Sequence, residues 1–459
     1  MSLLIVILES ADPELIEQLC NQGKLPWLNQ FCKHNNQTVI DVEPGLYTVG
    51  TWFNMSIGAS VASHEQHSWT QYDRFNDRLK HLDPQQTADK TIFSKLDKSG
   101  VKQFLMDVPR LPLLKLENGQ QVIDWYNHDF VADGVNSHPG SLADEINQRF
   151  GIDPFLGNCD QCDVNDFEQE TEFLVALTRR IKNKTAFCVE QMQHSLWDLF
   201  VVNFSDPHCG GHRLWHVHDV NHKNFQLRGD TRSLDPMVAL YRHLDQAIAT
   251  LTAHWQGEVA IVANLGMQSN HANNALLDIA LDRFNIKAPQ GRSSRRAKGS
   301  IPVDAPLNGT RISRSLPVSD SEFAVRVRVL GRDKGGVVST GRELESYLDE
   351  LVQEFMALRS IPTNEPLLSE FRRFTHCDQG SHIHNLPDVT FSWHEAPPVD
   401  VACSPYLGMI MRKQRRKRTG THRPIGHCWS SQTEVSMPSK IKDSELTACL
   451  LNSLFDETQ

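Results

Sequence analysis

The sequence has no long hydrophobic run. Its opening stretch, Leu3 to Leu8, holds six consecutive apolar residues, far short of the roughly 20 that cross a bilayer. No basic segment precedes it, so it reads as a first β-strand and not as a leader peptide. Positive charge is not in surplus either: 46 Lys and Arg face 56 Asp and Glu, for a net charge of -10. Nothing in that balance suggests a nucleic-acid partner. A paired cysteine pattern is also missing. The 10 cysteines are scattered, and the one Cys-x-x-Cys is "CDQC", Cys159 to Cys162, with no second pair at zinc-finger spacing. It reads as plain loop ahead of a metal or redox motif, and the chain as a reduced cytoplasmic protein.

What the chain does have is histidine. There are 21, and "DPHCGGHRLWHVHD" (206–219) carries four of them, with His222 just beyond. Short apolar runs at 3–8, 103–108, 198–204, 258–263, 323–330 and 388–392 predict strands. Helical spacing appears over 12–23, 234–255 and 341–360, with Asp12 as an N-cap. Such alternation predicts an α/β fold with a mainly parallel central sheet and helices on both faces. At 459 residues the chain fits one large domain with insertions. Residues 66–170 are expected to form a cap. Within them Trp69, Tyr72, Trp125, Tyr126 and His128 suit either base stacking or core packing. Residues 288–322, rich in Ser, Arg, Gly and Pro, are expected to be a flexible loop. The basic run 412–418 reads as a solvated face.

Chemistry is expected past the carboxyl ends of parallel strands. Strand 3–8 runs into Glu9, Ser10, Ala11 and Asp12, and strand 198–204 into Ser205, Asp206, His208 and His212. A carboxylate with imidazoles is a zinc-type ligand set, although a hydrogen-bonded histidine cluster has the same composition. Thr48 and Thr51 lie at an expected helix start, where free N–H groups favour an anion. A hydroxyl there is either a nucleophile beside a metal or a helix cap.

Taken in order, these segments resemble the type I phosphodiesterase/nucleotide pyrophosphatase branch of the alkaline phosphatase superfamily. The first strand and helix match in "IVILESADPELIEQLCNQGKLPWLNQF", with Glu9 at the family's aspartate. Gly58 lies ten residues after Thr48 and His64 sixteen after it, the family's register for its nucleophile. "FSDPHCGGHRLWHVHD", "YRHLDQAIATLTAHWQGEVAIVANLGM" and "RTGTHRPIGHCW" follow the family plan. The resemblance implies an alkaline phosphatase-like fold and hydrolysis of a small phosphate ester. It implies Thr48 as nucleophile and two divalent ions, zinc above Mg or Mn, one held by Asp206, His212 and His422 and the other with Glu9 among its ligands.

One departure stands out. The family's "SDHGM" is "ANLGM" here, with Asn264 at the Asp position and Leu265 at the His position. An amide oxygen is a weak ligand and leucine is none. The family's second metal site is thereby dismantled, leaving Asn264, His208 and Thr51 as doubtful site residues. Three readings follow: a hydrolase with one firmly held metal; a catalytically inactive protein with a binding or regulatory role; or a refitted second site, in which Glu9, Asn264 and His208 or His271 hold Mg or Mn.

Overall fold

The computed structural model describes residues 2–43, 45–132, 134–222, 224–225, 235–287, 311–374, 380–394, 399–413, 418–432 and 437–456. Most of the loop expected at 288–322, and positions 414–417 of the basic run, lie outside them.

A nine-stranded sheet forms the centre. In chain order its strands are β1 (Leu3–Leu8), β2 (Asn36–Asp41), β3 (Gln103–Met106), β4 (Gly119–Ile123), β5 (Asn136–His138), β6 (Leu199–Phe204), β7 (Glu258–Ala263), β8 (Gly426–Ser430) and β9 (Lys440–Lys442). Across the sheet they run β9-β2-β8-β7-β1-β6-β3-β4-β5. The five central strands from β7 to β4 are all parallel to their neighbours. β8 and β5 run antiparallel to theirs.

Continuous apolar runs suit strands covered on both faces. β1 shows this directly. Leu4, Val6 and Leu8 enter one hydrophobic cluster with Phe187, Leu240 and Trp429. Leu3, Ile5 and Ile7 enter another, with Trp52, Leu446 and Leu450. β3, β4 and β5 all fall within 66–170, so much of the expected cap is one wing of the central sheet. Trp125 and Tyr126 accordingly sit in the core. A four-stranded antiparallel sheet drawn from 313–316, 322–327, 368–373 and 389–393 packs around its own cluster, with Phe323, Leu351 and Phe391.

Glu322, on that smaller sheet, is 1% exposed. Burial pushes its carboxyl up to about 8, against hydrogen bonds from Gly45 and Ser319. A carboxyl raised in this way contributes stability below its unfolded value and loses it as pH rises through about 8. Glu322→Gln should flatten the fall in melting temperature between pH 5 and pH 8. Parallel melting curves for the two proteins over that range would refute the assignment.

Candidate functional site

Four parts of the fold meet at the carboxyl edge of the sheet. β1 and β6 pair in register, Leu8 against Phe204, so Glu9 and Ser205 leave the sheet side by side. Helix α1 (Tyr47–Ile57) starts with Leu46 as its cap and no side-chain capping bond. Helix α3 (Asp206–His218) starts at the end of β6. Strand 420–423 pairs with strand 266–269, setting His422 opposite Met267. Gly420 lies against Gly211 of α3 so closely that a Cβ there would strike the Gly211 carbonyl. That approach brings His422 onto the helix.

His208 and His212 are four residues apart and share one face of α3. Their Nε2 atoms are 3.0 Å apart. The His422 ring lies 4.6 Å from that of His208 and 4.8 Å from that of His212. His128 stacks on His208 at 3.9 Å, and ligand nitrogens of His128, His208 and His212 fall within 4.8 Å of one another. Burial, helped by neighbouring cations and imidazoles, holds His128, His212 and His422 well below the usual histidine range. They are neutral bases with lone pairs to offer. Glu9 closes the group, its Oε1 2.7 Å from His208 Nδ1. Burial works to raise the Glu9 carboxyl. The charge and hydrogen bond of His208, with bonds from Ser205 and Asn203, outweigh it and hold Glu9 low.

Thr48 lines the same cavity as Glu9, His128, His208 and His422. Its hydroxyl is shielded from solvent and makes no hydrogen bond among the described residues. It stands in the first turn of α1, whose uncapped N–H groups favour an anion. Arg110 and Arg418 line the cavity too. Arg110 lies over the Trp69 ring and pairs with Asp129 at 3.3 Å. Burial pulls its guanidinium down to about 10, against the attraction of Asp129, Glu9 and Asp124. Arg418 grips Asp160 and reaches within 3.5 Å of His128 Nε2.

Several expected site residues stand elsewhere. Asp206 begins α3 two residues before His208, on a different face of the helix. Its Oδ1 lies 3.4 Å from Arg180 of helix α2 (Phe167–His194). Burial raises its carboxyl to about 6 although Arg180 and Lys184 pull it down. Thr51 donates to Asp443 at 2.8 Å. His64 bonds Asn54 at 2.8 Å, and His271 stacks on His222 at 6.1 Å. Asn264 accepts from the Ser10 N–H at 3.1 Å, which braces Ser10 at a φ of 54°, a left-handed conformation easier for glycine. Leu265 is 1% exposed in the core cluster that also holds Tyr47 and Trp52.

Sequence reasoning passed over Arg110 and Asp129, and it treated His128 only as an aromatic and Arg418 only as part of a solvated face. Their placement depends on buried supports. Asp107, at the end of β3, accepts from the N–H groups of Trp125 and Tyr126 at 3.0 Å each. Lys184 pairs with Asp107 at 2.8 Å, and Arg180 donates to the Tyr126 carbonyl. These bonds fix the segment that carries His128 and Asp129.

No family model matches the sequence, and no curated protein sequence matches it. Solved structures do. Phosphonoacetate hydrolase from Sinorhizobium meliloti 1021, in complex with phosphonoformate, matches with a TM-score of 0.55 at 10% identity, over 100% of this chain and 96% of that one. Murine ectonucleotide pyrophosphatase / phosphodiesterase 5 matches with a TM-score of 0.51 at 10% identity, over 98% and 94%. The fold of this chain is therefore the alkaline phosphatase-like α/β fold, as its sequence motifs anticipate. No helix among the described residues is long and apolar enough to cross a membrane.

Proposed function

We propose that this chain is a metal-dependent hydrolase of a small phosphate ester, with Thr48 as its nucleophile and one metal where the family resemblance implies two. The observation that carries this reading is the Thr48 hydroxyl, sheltered and without a partner among the described residues, beside a buried cluster of imidazoles and one carboxylate. The donor set fits a zinc-type ion. His422 Nδ1 also lacks a hydrogen-bond partner among the described residues. With the Nδ1 of His208 on Glu9 and that of His212 on the Gly420 carbonyl, the two Nε2 atoms 3.0 Å apart turn lone pairs toward each other that a cation would satisfy. His208 and His212, through Nε2, are the ligands this geometry favours, with the His422 ring 4.6 and 4.8 Å from theirs; Glu9, expected among the ligands, bonds His208 Nδ1 and so orients that ring from its other side. When bound, a divalent ion would polarise the phosphoryl group and lower the pKa of a hydroxyl or water beside it.

The chain's own groups would do the rest. The first turn of α1 would receive a non-bridging phosphate oxygen on its free N–H groups. Arg110 and Arg418, which line the same cavity, would offset the ester's charge. Thr48 Oγ1 would attack phosphorus, displace the alcohol and leave a phosphothreonine, and water would then release phosphate and restore the hydroxyl. The fold neighbour named for phosphonoacetate hydrolysis and the one named as a nucleotide pyrophosphatase agree with a small anionic phosphorus substrate.

The turn at Asn264 and Leu265 favours a second reading, a catalytically silent binding protein on the same fold. One experiment separates them: elemental analysis of the purified chain, with hydrolysis of a chromogenic phosphodiester. Bound metal and turnover together support the enzyme. Absence of both supports the silent protein.

Asp206, expected among the ligands, is better explained as the buried partner of Arg180. Asp206→Asn should cost about 3 kcal/mol of stability and leave the metal bound per folded chain unchanged. Denaturant unfolding and elemental analysis check this, and the loss of one ion per folded chain would return Asp206 to the ligand set.

A further inference from the structure

Beside His128, two thiols converge. Cys159 Sγ lies 3.0 Å from His128 Nδ1, and Cys209 Sγ lies 3.4 Å from the same atom. All three ligand atoms fall within 4.8 Å of one another. Cys159 is 1% exposed, Cys209 0% and His128 4%. The "CDQC" pair is split in the fold: Cys159 faces Cys209, and Cys162 stays outside the group.

Hydrogen bonding does not account well for this trio. A neutral imidazole nitrogen offers either one lone pair or one N–H. Two thiols aimed at one Nδ1 leave a polar group without a full partner. A cation accepts from all three at once. The edges of a tetrahedron around zinc, built from Zn–S of about 2.3 Å and Zn–N of about 2.0 Å, are on the order of 3.5 Å, close to the observed separations. His128 Nε2 lies 3.6 Å from Asp129 Oδ1 and 3.5 Å from Arg418 Nη2; the tautomer with its proton on Nε2, toward Asp129, is the one that leaves Nδ1 free for a metal. Arg180 Nη1 lies 3.8 Å from Cys209 Sγ.

We propose that Cys159, Cys209 and His128 form a soft-metal site for zinc or a similar thiophilic ion, separate from the phosphate-ester centre. Two thiolates balance a dication, and both thiol protons leave to solvent on binding. The site goes beyond the hydrolase reading and stands without it, because its spectroscopic signature needs no turnover.

The test uses the full-length chain, reduced with a phosphine, stripped by chelation and loaded with Co²⁺. A near-ultraviolet thiolate-to-cobalt band is expected. Cys159→Ser and Cys209→Ser should each weaken it at least twofold, and the double variant should abolish it. Cys162→Ser and His212→Ala should keep it. Circular dichroism confirms that each variant is folded, and the wild-type spectrum stands alone if one is not. No sulfur band in the loaded wild type, or a band that survives in the double variant, overturns the site. If the band appears while the chain hydrolyses no ester, the hydrolase reading falls and the soft-metal site holds.

Discussion

Thr48→Ala is expected to lower hydrolysis of a chromogenic phosphodiester by about 10³-fold or more, the scale of loss when a nucleophile is removed. The folded protein should survive the change, because the Thr48 hydroxyl makes no hydrogen bond that the alanine variant would break. Thr48→Ser keeps a hydroxyl and should retain measurable turnover. Thr51→Val provides the contrast. It loses the 2.8 Å bond to Asp443, so it should melt earlier while turnover per folded molecule stays near wild type. Equal, non-zero rates for wild type and Thr48→Ala would show that another group attacks.

The second large effect concerns the turn after β7. Asn264→Asp with Leu265→His restores the two residue types that the family resemblance calls for. The introduced carboxylate would keep the acceptor that Ser10 N–H uses at 3.1 Å. The introduced imidazole is costly: it takes the place of a side chain 1% exposed in the core, a change of about 2–4 kcal/mol from lost apolar burial and an unpaired polar ring. Without added metal the double variant should therefore melt well below wild type. With zinc at about 1,000 times its dissociation constant, binding returns about 4 kcal/mol, so most of the loss should be recovered. One extra ion per chain should accompany that recovery. Turnover should rise on the order of tenfold or more, as a second ion comes to share the phosphate's charge. An unchanged metal count would mean that this turn serves packing alone.

Much of the fold is legible in the sequence because buried parallel strands leave continuous apolar runs. β1 and β7 coincide with the expected 3–8 and 258–263, and β6 falls within 198–204. β3 falls within the expected 103–108, but the rest of its wing, β4 and β5, is harder to see. β5 has only three residues and no apolar run, so its region reads as a cap. Thr48 is legible from its register with Gly58 and His64. The choice between Asp206 and His208 turns on one fact the sequence hides, that α3 starts at Asp206. Once the helix is in place, four-residue spacing pairs His208 with His212 and turns Asp206 toward α2. Arg110, His128, Asp129 and Arg418 obey no spacing rule. Arg418 and His128 are 290 residues apart; one precedes strand 420–423 and the other follows β4, and only the fold brings these segments together.

The central claim is a metal held in the histidine cluster beside Thr48. Anomalous scattering at the zinc edge, from crystals of the zinc-loaded chain, tests it most directly. The account predicts a peak at the Nε2 atoms of His208 and His212, beside His422 and within reach of the Thr48 hydroxyl. A map with no peak in that cluster, or with its ion beside Asp206 instead, would contradict it.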